Sequence, residues 1–440
     1  QMDGFVDSGL SLSRRTNHQQ VIAGVVAAVA DHDQLVYECL QNADDATGVS
    51  SASFEITETE LVVSNNGTFR SCGHLEADLC DLDGSHQCDF HRIRDVSNAE
   101  KADEAGTTGA FGLGFNAVYR ITDKPMLVSG GVHWQFDDTQ AEENKRIDIC
   151  GGYGCNWNCR TRPETTFVLP WAFQTDSPGR EIFQAPPVTP DWITEFEAVV
   201  NRSAPMALLF ARRLTRITVT NRAGSRSVFS KSRDGQEVEL LLPDETQRWR
   251  VFEGDFQESA QLLRDKMPEA FSRSGSKDAL VQIAVRGDDA DVSGLMHSVF
   301  PTGQPVHLPA HLNAEVFPEI SRRQLITTGE KGEWNRAALD AVGKLLASTI
   351  ISIRDSLATP ERFWHLLDCT YKLHLMQGSS LPGLAGYWST LRGVLREEPV
   401  VWSESGSWLV PSLVFTRTTE FDHLLEGVLA GIGIEVVNHD

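Results

Sequence analysis

A chain of 440 residues is long for a single hydrophobic core, so two or three domains are expected, and an apolar fraction of 41% is that of a globular protein rather than a disordered or fibrous one. Its 61 acidic against 39 basic residues leave a net charge of −22, which excludes a broad footprint on the phosphate backbone of a nucleic acid. The longest apolar run, Val21 to Ala30, falls far short of the ~20 residues of a bilayer span, and no signal-peptide pattern opens the chain, so a cytoplasmic protein with no membrane partner is expected.

Residues 20 to 46 read as one or two helices, with a break near Asp31 to Gln34. Within them lies "YECLQNADDATG", Tyr37 to Gly48. On a helix, Glu38, Asn42 and Asp45 share one narrow arc, while Val36, Cys39, Leu40 and Ala43 fall on the other side. The polar arc carries no Lys or Arg, whereas a solvated face usually mixes both signs. It suits a helix that lines a wet cleft over a sheet. Next, "SSASFEIT" and "ELVVSN" alternate and are rich in β-branched residues, which predicts a hairpin turning at Thr57 to Glu60. The second strand ends in Asn65-Asn66-Gly67. As a hairpin turn this would need a partner strand at once, and the following segment supplies none, so the Asn pair ends the strand at a ligand site.

The stretch from Gly67 to Thr108 is polar and Asp-rich, too long for a simple connection, and reads as a lid or a metal-pinned insert. Then comes "GTTGAFGLGFNAVYRITD", Gly106 to Asp123. Gly109, Gly112 and Gly114 are ordered G-x-x-G-x-G, the reverse of the dinucleotide fingerprint, and no Lys-Ser or Lys-Thr follows, which excludes a Walker loop. Glycines permit positive φ, so that successive N–H groups point inward at the start of a helix predicted over Phe115 to Ile121; such a nest binds phosphate. Strands are predicted near Met126, His133, Arg146 and Thr165. The Pro-rich "QAPPVTPDW", Gln184 to Trp192, predicts a domain boundary. Beyond it lie a helix over Ile193 to Arg213, strands at "RITVTN", "SVFSKS", "EVELLL" and "ALVQIAVRG", and a tail with a helical "RFWHLLDCTYKLHLM" that stops at Asp440 without a clear cap, as if cut from a longer chain.

Taken together and in this order, "ECLQNADDA", "VSNNG" and "GAFGLGFNAVY" resemble the N box and the two glycine boxes of the GHKL ATPases (gyrase, heat-shock chaperone, histidine kinase, MutL), most of all the sacsin-like and heat-shock protein 90-type members. The resemblance covers roughly Gln19 to Trp171. It implies an α+β chain: a GHKL (Bergerat) α/β sandwich over residues 1–182 with a helix layer on a mixed sheet and a lid insert at 67–108, an α/β middle domain over 190–356, and a mixed C-terminal segment over 357–440. It further implies binding of ATP and Mg²⁺. Glu38 would be the general base that deprotonates the attacking water, Asn42 would hold Mg²⁺, and Asp45 would lie near the adenosine. Asn65, followed by Gly67, stands where the family usually has an Asp that accepts from the adenine amino group. The backbone of Gly109, Ala110, Phe111, Gly112, Leu113, Gly114 and Phe115 would cradle the phosphates, with Lys101 a further phosphate candidate. Thr165 matches the strand that closes the adenine pocket, although Glu164 replaces the family's glycine. "FPTGQPVHLPAHLNAEVFPEISRRQLI" resembles the segment from which an arginine reaches the γ-phosphate, a role that falls to Arg322 with Arg323 as runner-up.

Cysteines cluster twice, and in a cytosolic chain clustering reads as metal before disulfide. Cys72, Cys80, Cys88 and His91, with His74 as a substitute, offer the thiolates and imidazole that tetrahedral zinc takes, here as a structural ion. Cys150, Cys155 and Cys159 would hold a second ion or complete one shared site. The leading expectation is therefore a Mg²⁺-dependent ATPase whose conformational cycle acts on a protein client or on further domains. A nucleotide sensor with little turnover, motivated by Asn65 and Glu164, and a DNA-handling relative of gyrase or MutL are the alternatives, the latter opposed by the acidic balance. A homodimer is among the assemblies the resemblance implies.

Overall fold

The computed structural model describes residues 18–29, 31–74, 80, 88–94, 111–141, 146–150, 155–266, 277–319, 322–376, 381, 384, 387–403, 405–416 and 435–437. Lys101, Gly109 and Ala110, with much of the 67–108 insert, lie outside the described residues, and of Phe111, Gly112 and Leu113 only the backbone is described. Among the described residues no helix is long and apolar enough to cross a membrane.

Two helices, α1 (His18–Ala28) and α2 (His32–Asp45), flank the expected break. Helix α2 buries Val36, Leu40 and Ala43, the i, i+4, i+7 stripe of an amphipathic helix. Strands β1 (Ser51–Ile56) and β2 (Glu60–Asn65) form the predicted hairpin, whose turn is closed by Thr57 N–H donating to the Glu60 carbonyl at 3.0 Å. After α3 (Asp89–Arg94) comes α4 (Phe111–Asn116), which tightens into a 3₁₀ turn over Ala117–Arg120. The helix predicted over Phe115 to Ile121 thus begins four residues earlier and is α-helical only to Asn116. Its last turn is drawn tight from outside. The buried Arg180 guanidinium donates to the carbonyls of Tyr119 (2.6 Å), Arg120 (3.0 Å) and Thr122 (3.1 Å), groups that a helix end leaves without partners, and to Asp123 (2.8 Å).

The chain continues through β3 (Met126–Ser129), β4 (Val132–Phe136), β5 (Ile147–Ile149), β6 (Thr165–Pro170), α5 (Pro178–Ile182) and the long α6 (Pro190–Phe210). It then adds β7 (Arg216–Thr220), β8 (Arg226–Asp234), β9 (Glu237–Leu241), β10 (Thr246–Asp255), α7 (Gln257–Lys266), β11 (Leu280–Arg286), β12 (Leu295–Ser298), β13 (Phe300–Pro305) and β14 (His311–Ala314). Helices α8 (Gly329–Arg354), α9 (Pro360–Leu375) and α10 (Trp388–Glu397) follow.

All fourteen of these strands form one mixed sheet, in the order β13-β12-β14-β11-β10-β9-β8-β7-β1-β2-β6-β3-β4-β5. The molecule is therefore mixed α/β about a single large sheet. The join between its halves is the parallel pair β1–β7, in register from Ser51–Arg216 to Glu55–Thr220. The sheet thus continues across the Pro-rich segment at 184–192. One apolar core, including Leu35, Leu40, Phe54, Phe196, Leu208 and Trp249, unites α2 and α6 with that join. A second surrounds α8, with Phe252, Trp334, Leu346 and Phe363. Asp44, buried at the end of α2, fastens the halves directly: its carboxylate accepts from the backbone N–H of Arg212 (3.0 Å), Arg213 (2.9 Å) and Leu214 (2.7 Å).

Candidate functional site

Because Val36, Leu40 and Ala43 anchor α2 to the core, its opposite edge presents Glu38 and Asn42, both half-buried, and Asp45, which is exposed. The Asp45 carboxyl is nonetheless pushed up to about 6, by burial first and by the like charge of Asp44 second. Helix α4 crosses that edge at Gly114. A Cβ placed there would stand 2.8 Å from Glu38 Oε2 and 3.4 Å from Asn42 Oδ1. Glu38, Asn42 and Gly114 of the glycine-rich segment therefore meet at one place, the candidate groove. The reason for the glycine departs from expectation: Gly114 is helical, its φ is not positive, and what it supplies is room for the two polar side chains.

The strand side of the groove is built from β2 and β6, paired so that Asn65 opposes Thr165. Asn65 is buried and its Oδ1 accepts from the Gly67 N–H at 2.9 Å. A Cβ on Gly67 would lie 2.9 Å from Ala46 Cβ and 3.1 Å from the Thr47 carbonyl, so the strand end presses on the end of α2. The N–H and Oγ1 of Thr165 both donate to the Gly67 carbonyl, at 2.9 and 3.0 Å, and its Oγ1 lies 2.8 Å from Ser129 Oγ. Asn65, Gly67 and Thr165 thus form one corner. The Asn-Asn-Gly segment is not a hairpin turn: Asn66 Oδ1 folds back to accept from the N–H groups of Ser50 (2.8 Å) and Ser51 (2.9 Å).

Arg322 enters from the far half of the chain. Its backbone is in the left-handed region, φ +54°, held by its N–H donating to the Glu319 carbonyl (2.9 Å) and its own carbonyl accepting from Gly303 (2.8 Å). The side chain is buried. Nη1 donates to Gln41 Oε1 at 2.7 Å and lies 3.4 Å from Glu38 Oε1. Nε and Nη2 are buried and have no hydrogen-bond partner among the described residues. Arg323 diverges and pairs with Asp31 at 2.5 Å. Lys277, buried near Arg322, donates to the Val316 carbonyl at 3.0 Å, and burial first, then Arg322, lowers its pKa to about 7. A cleft of about 350 Å³ is lined by both arginines together with Asp31, Asp33, Arg202 and Thr302; it does not include Asn42, Asn65 or Gly114.

Cys72, Cys80, Cys88 and His91 converge, with one donor atom from each lying within 4.8 Å of all the others. Cys88 Sγ stands 3.7 Å from Cys72 Sγ and 3.2 Å from His91 Nδ1, and Cys72 Sγ is 3.5 Å from the same nitrogen. Tetrahedral zinc with ordinary bond lengths has edges of about 3.8 Å between sulfurs and about 3.6 Å from sulfur to nitrogen. Such a cluster could hold a structural metal such as zinc. His74 is not part of it; it meets Cys72 through its backbone only. Cys150 and Cys155 converge in a second group with His133, which sequence reading passed over because a lone histidine inside a strand carries no ligand spacing. Gln41 was likewise passed over, although i+3 from Glu38 on a helix is adjacent.

Residues 15–156, which supply α2, the glycine-rich segments and the first cysteine group, match the Sacsin domain family, so this part of the chain is sacsin-like. Over 115 residues the chain is 30% identical to Sacsin from Homo sapiens, which covers 22% of this chain and 2% of that protein. Over 111 residues it is 28% identical to Protein NO VEIN from Arabidopsis thaliana, covering 24% of this chain and 4% of that one. The chain thus spans a small fraction of the length of these relatives.

Proposed function

We propose that the chain is a Mg²⁺-dependent, ATP-hydrolysing conformational switch with a GHKL (Bergerat) nucleotide site, acting on a protein client or on neighbouring domains of a longer protein. One observation carries the reading. The side edge of the Arg322 guanidinium, Nε and Nη2, is buried without a hydrogen-bond partner among the described residues, beside the acidic edge of α2. That edge is the bidentate face with which arginine takes phosphate, and buried donors are costly unless a partner answers them. Arg322 comes from the segment after β14, so binding the terminal phosphate would tie the second half of the molecule to α2 and make the switch sense ATP.

In this reading Glu38 orients the attacking water and takes its proton, and Gln41 steadies Arg322 through the 2.7 Å bond while Nε and Nη2 stabilise charge on the transferred phosphoryl group. Asn42, beside Gly114, would hold Mg²⁺, which would supply charge neutralisation at the phosphates. The backbone between Gly109 and Phe115, with Lys101, would cradle the phosphates; Asn65 and Asp45 would face the nucleoside. Cys72, Cys80, Cys88 and His91 would take a structural zinc. The test is phosphate release and calorimetric ATP binding on the wild type and Glu38→Ala. Wild-type turnover that the variant loses while still binding ATP is the expected result. If both bind and neither turns over, the second reading, a nucleotide sensor, prevails; the Glu38–Arg322 pairing at 3.4 Å, which engages the base itself, is the observation that favours it.

A further inference from the structure

We propose that His133, Cys150, Cys155 and Cys159 form a zinc site of their own, separate from the Cys72/Cys80/Cys88/His91 group. Donor atoms of His133, Cys150 and Cys155 all lie within 4.8 Å of one another. His133 Nδ1 is 3.3 Å from Cys155 Sγ, close to the sulfur–nitrogen edge of about 3.6 Å that a zinc tetrahedron requires. Cys159, itself buried and four residues beyond Cys155, falls outside this triad, but its thiol interacts with those of Cys155 and Cys150 and would move in to complete the set as the fourth donor. None of these cysteines is in a disulfide. Three thiolates and one imidazole are a closed, soft donor set, the composition of a structural zinc site with no position left for catalysis.

The chain geometry aims these groups at one point. His133 lies on β4, and the Cys150 N–H that follows β5 donates to the His133 carbonyl at 3.0 Å, so the two residues are neighbours across the last pair of strands in the sheet order. Cys155 and Cys159 sit on the turn and short 3₁₀ segment beyond, where Asn158 takes a left-handed φ of +50° to bring Cys159 inward. His133 and Trp134 point to opposite sides of β4, and Trp134 packs on Phe90 at 5.1 Å, next to His91 of the other cluster. Two ions would therefore staple opposite faces of one strand. The ion at His133 would fix the segment over 155–162 that precedes β6, and with it Thr165 at the proposed nucleotide corner.

The experiment is metal analysis of the purified full chain, with the expectation of two zinc ions in the wild type, one in Cys155→Ser, one in His133→Ala and one in Cys88→Ser. His133→Cys, which replaces one ligand by another, is expected to keep two. Cobalt exchange gives a readout independent of yield: the thiolate-to-cobalt absorption should fall in Cys155→Ser and rise in His133→Cys. A wild type holding one zinc that Cys155→Ser retains, or a disulfide among Cys150, Cys155 and Cys159 in the native protein, overturns the proposal. Neither result bears on whether ATP is hydrolysed.

Discussion

At the scale of single residues, the proposed ATPase turns on Arg322 and Asn65. Arg322 adopts a backbone conformation that costs a non-glycine residue about 1–3 kcal/mol, and such strain persists where surrounding structure enforces it. Its planar fork already spends Nη1 on Gln41, so the side edge, unpartnered among the described residues, is what a lysine cannot reproduce. Arg322→Ala should lower the rate of phosphate release by about 10²–10³-fold, in line with loss of a transition-state donor, and Arg322→Lys should not restore it. A lysine variant with wild-type turnover would reduce Arg322 to a structural contact. Asn65 makes a different prediction. Its Oδ1 is committed to Gly67 N–H, which leaves the amide nitrogen for a base, whereas a carboxylate would keep that bond and offer a second acceptor to the adenine amino group. Asn65→Asp should therefore tighten ATP binding about tenfold and leave GTP unimproved, read by calorimetric titration of both nucleotides.

Elements show why part of this was legible in advance. The α2 stripe could be read because helical spacing is rigid: anchoring Val36, Leu40 and Ala43 leaves Glu38, Asn42 and Asp45 no other side to occupy. The β1–β2 hairpin was equally local. Strand β10 and the β12–β14 cluster were not foreseen, since their pairing partners, β11 among them, are set by the sheet rather than by alternation within the segment. The purpose of the glycines was misjudged for a related reason, because positive φ is a property of one residue while steric room depends on which helix lies opposite. Gly114→Ala separates the two. Alanine improves helix propensity by about 0.8–1.0 kcal/mol, but its Cβ would press on Glu38 Oε2, the movable end of a side chain. The unfolding temperature should change little while phosphate release collapses; a variant that hydrolyses normally would mean that Glu38 is not confined by α4.

Across the whole molecule, the groove depends on a sheet larger than its recognisable part. The Sacsin domain match ends at residue 156, yet β6 begins at Thr165 and lies between β2 and β3, and Arg322 lies further still. What positions that arginine loop is the far half of the sheet, and there two imidazoles are buried together. His297 Nε2 lies 3.2 Å from His311 Nδ1, which also accepts from the Leu295 N–H, under the Trp249 ring, with Arg322 nearby. Burial first, and then these neighbours for His297, hold both neutral: His311 is lowered to about 4 and His297 well below its ordinary value. The unfolded chain takes up these protons near pH 6.5 and the folded one does not. The pair's share of stability is therefore complete above pH 6.5 and is lost as pH falls from there through about 4. A displacement of 2.5 pH units corresponds to about 3 kcal/mol for His311 alone. Lys277, lowered to about 7, adds a slope of the same sign at alkaline pH, since its unfolded counterpart stays protonated up to about 10.5. Urea unfolding from pH 7.5 to 4.5 should accordingly show a steep acid loss, and His311→Asn, whose amide oxygen can still accept from Leu295, should flatten it. An unchanged slope in that variant would assign the acid sensitivity to other groups and leave the seat of Arg322 indifferent to pH.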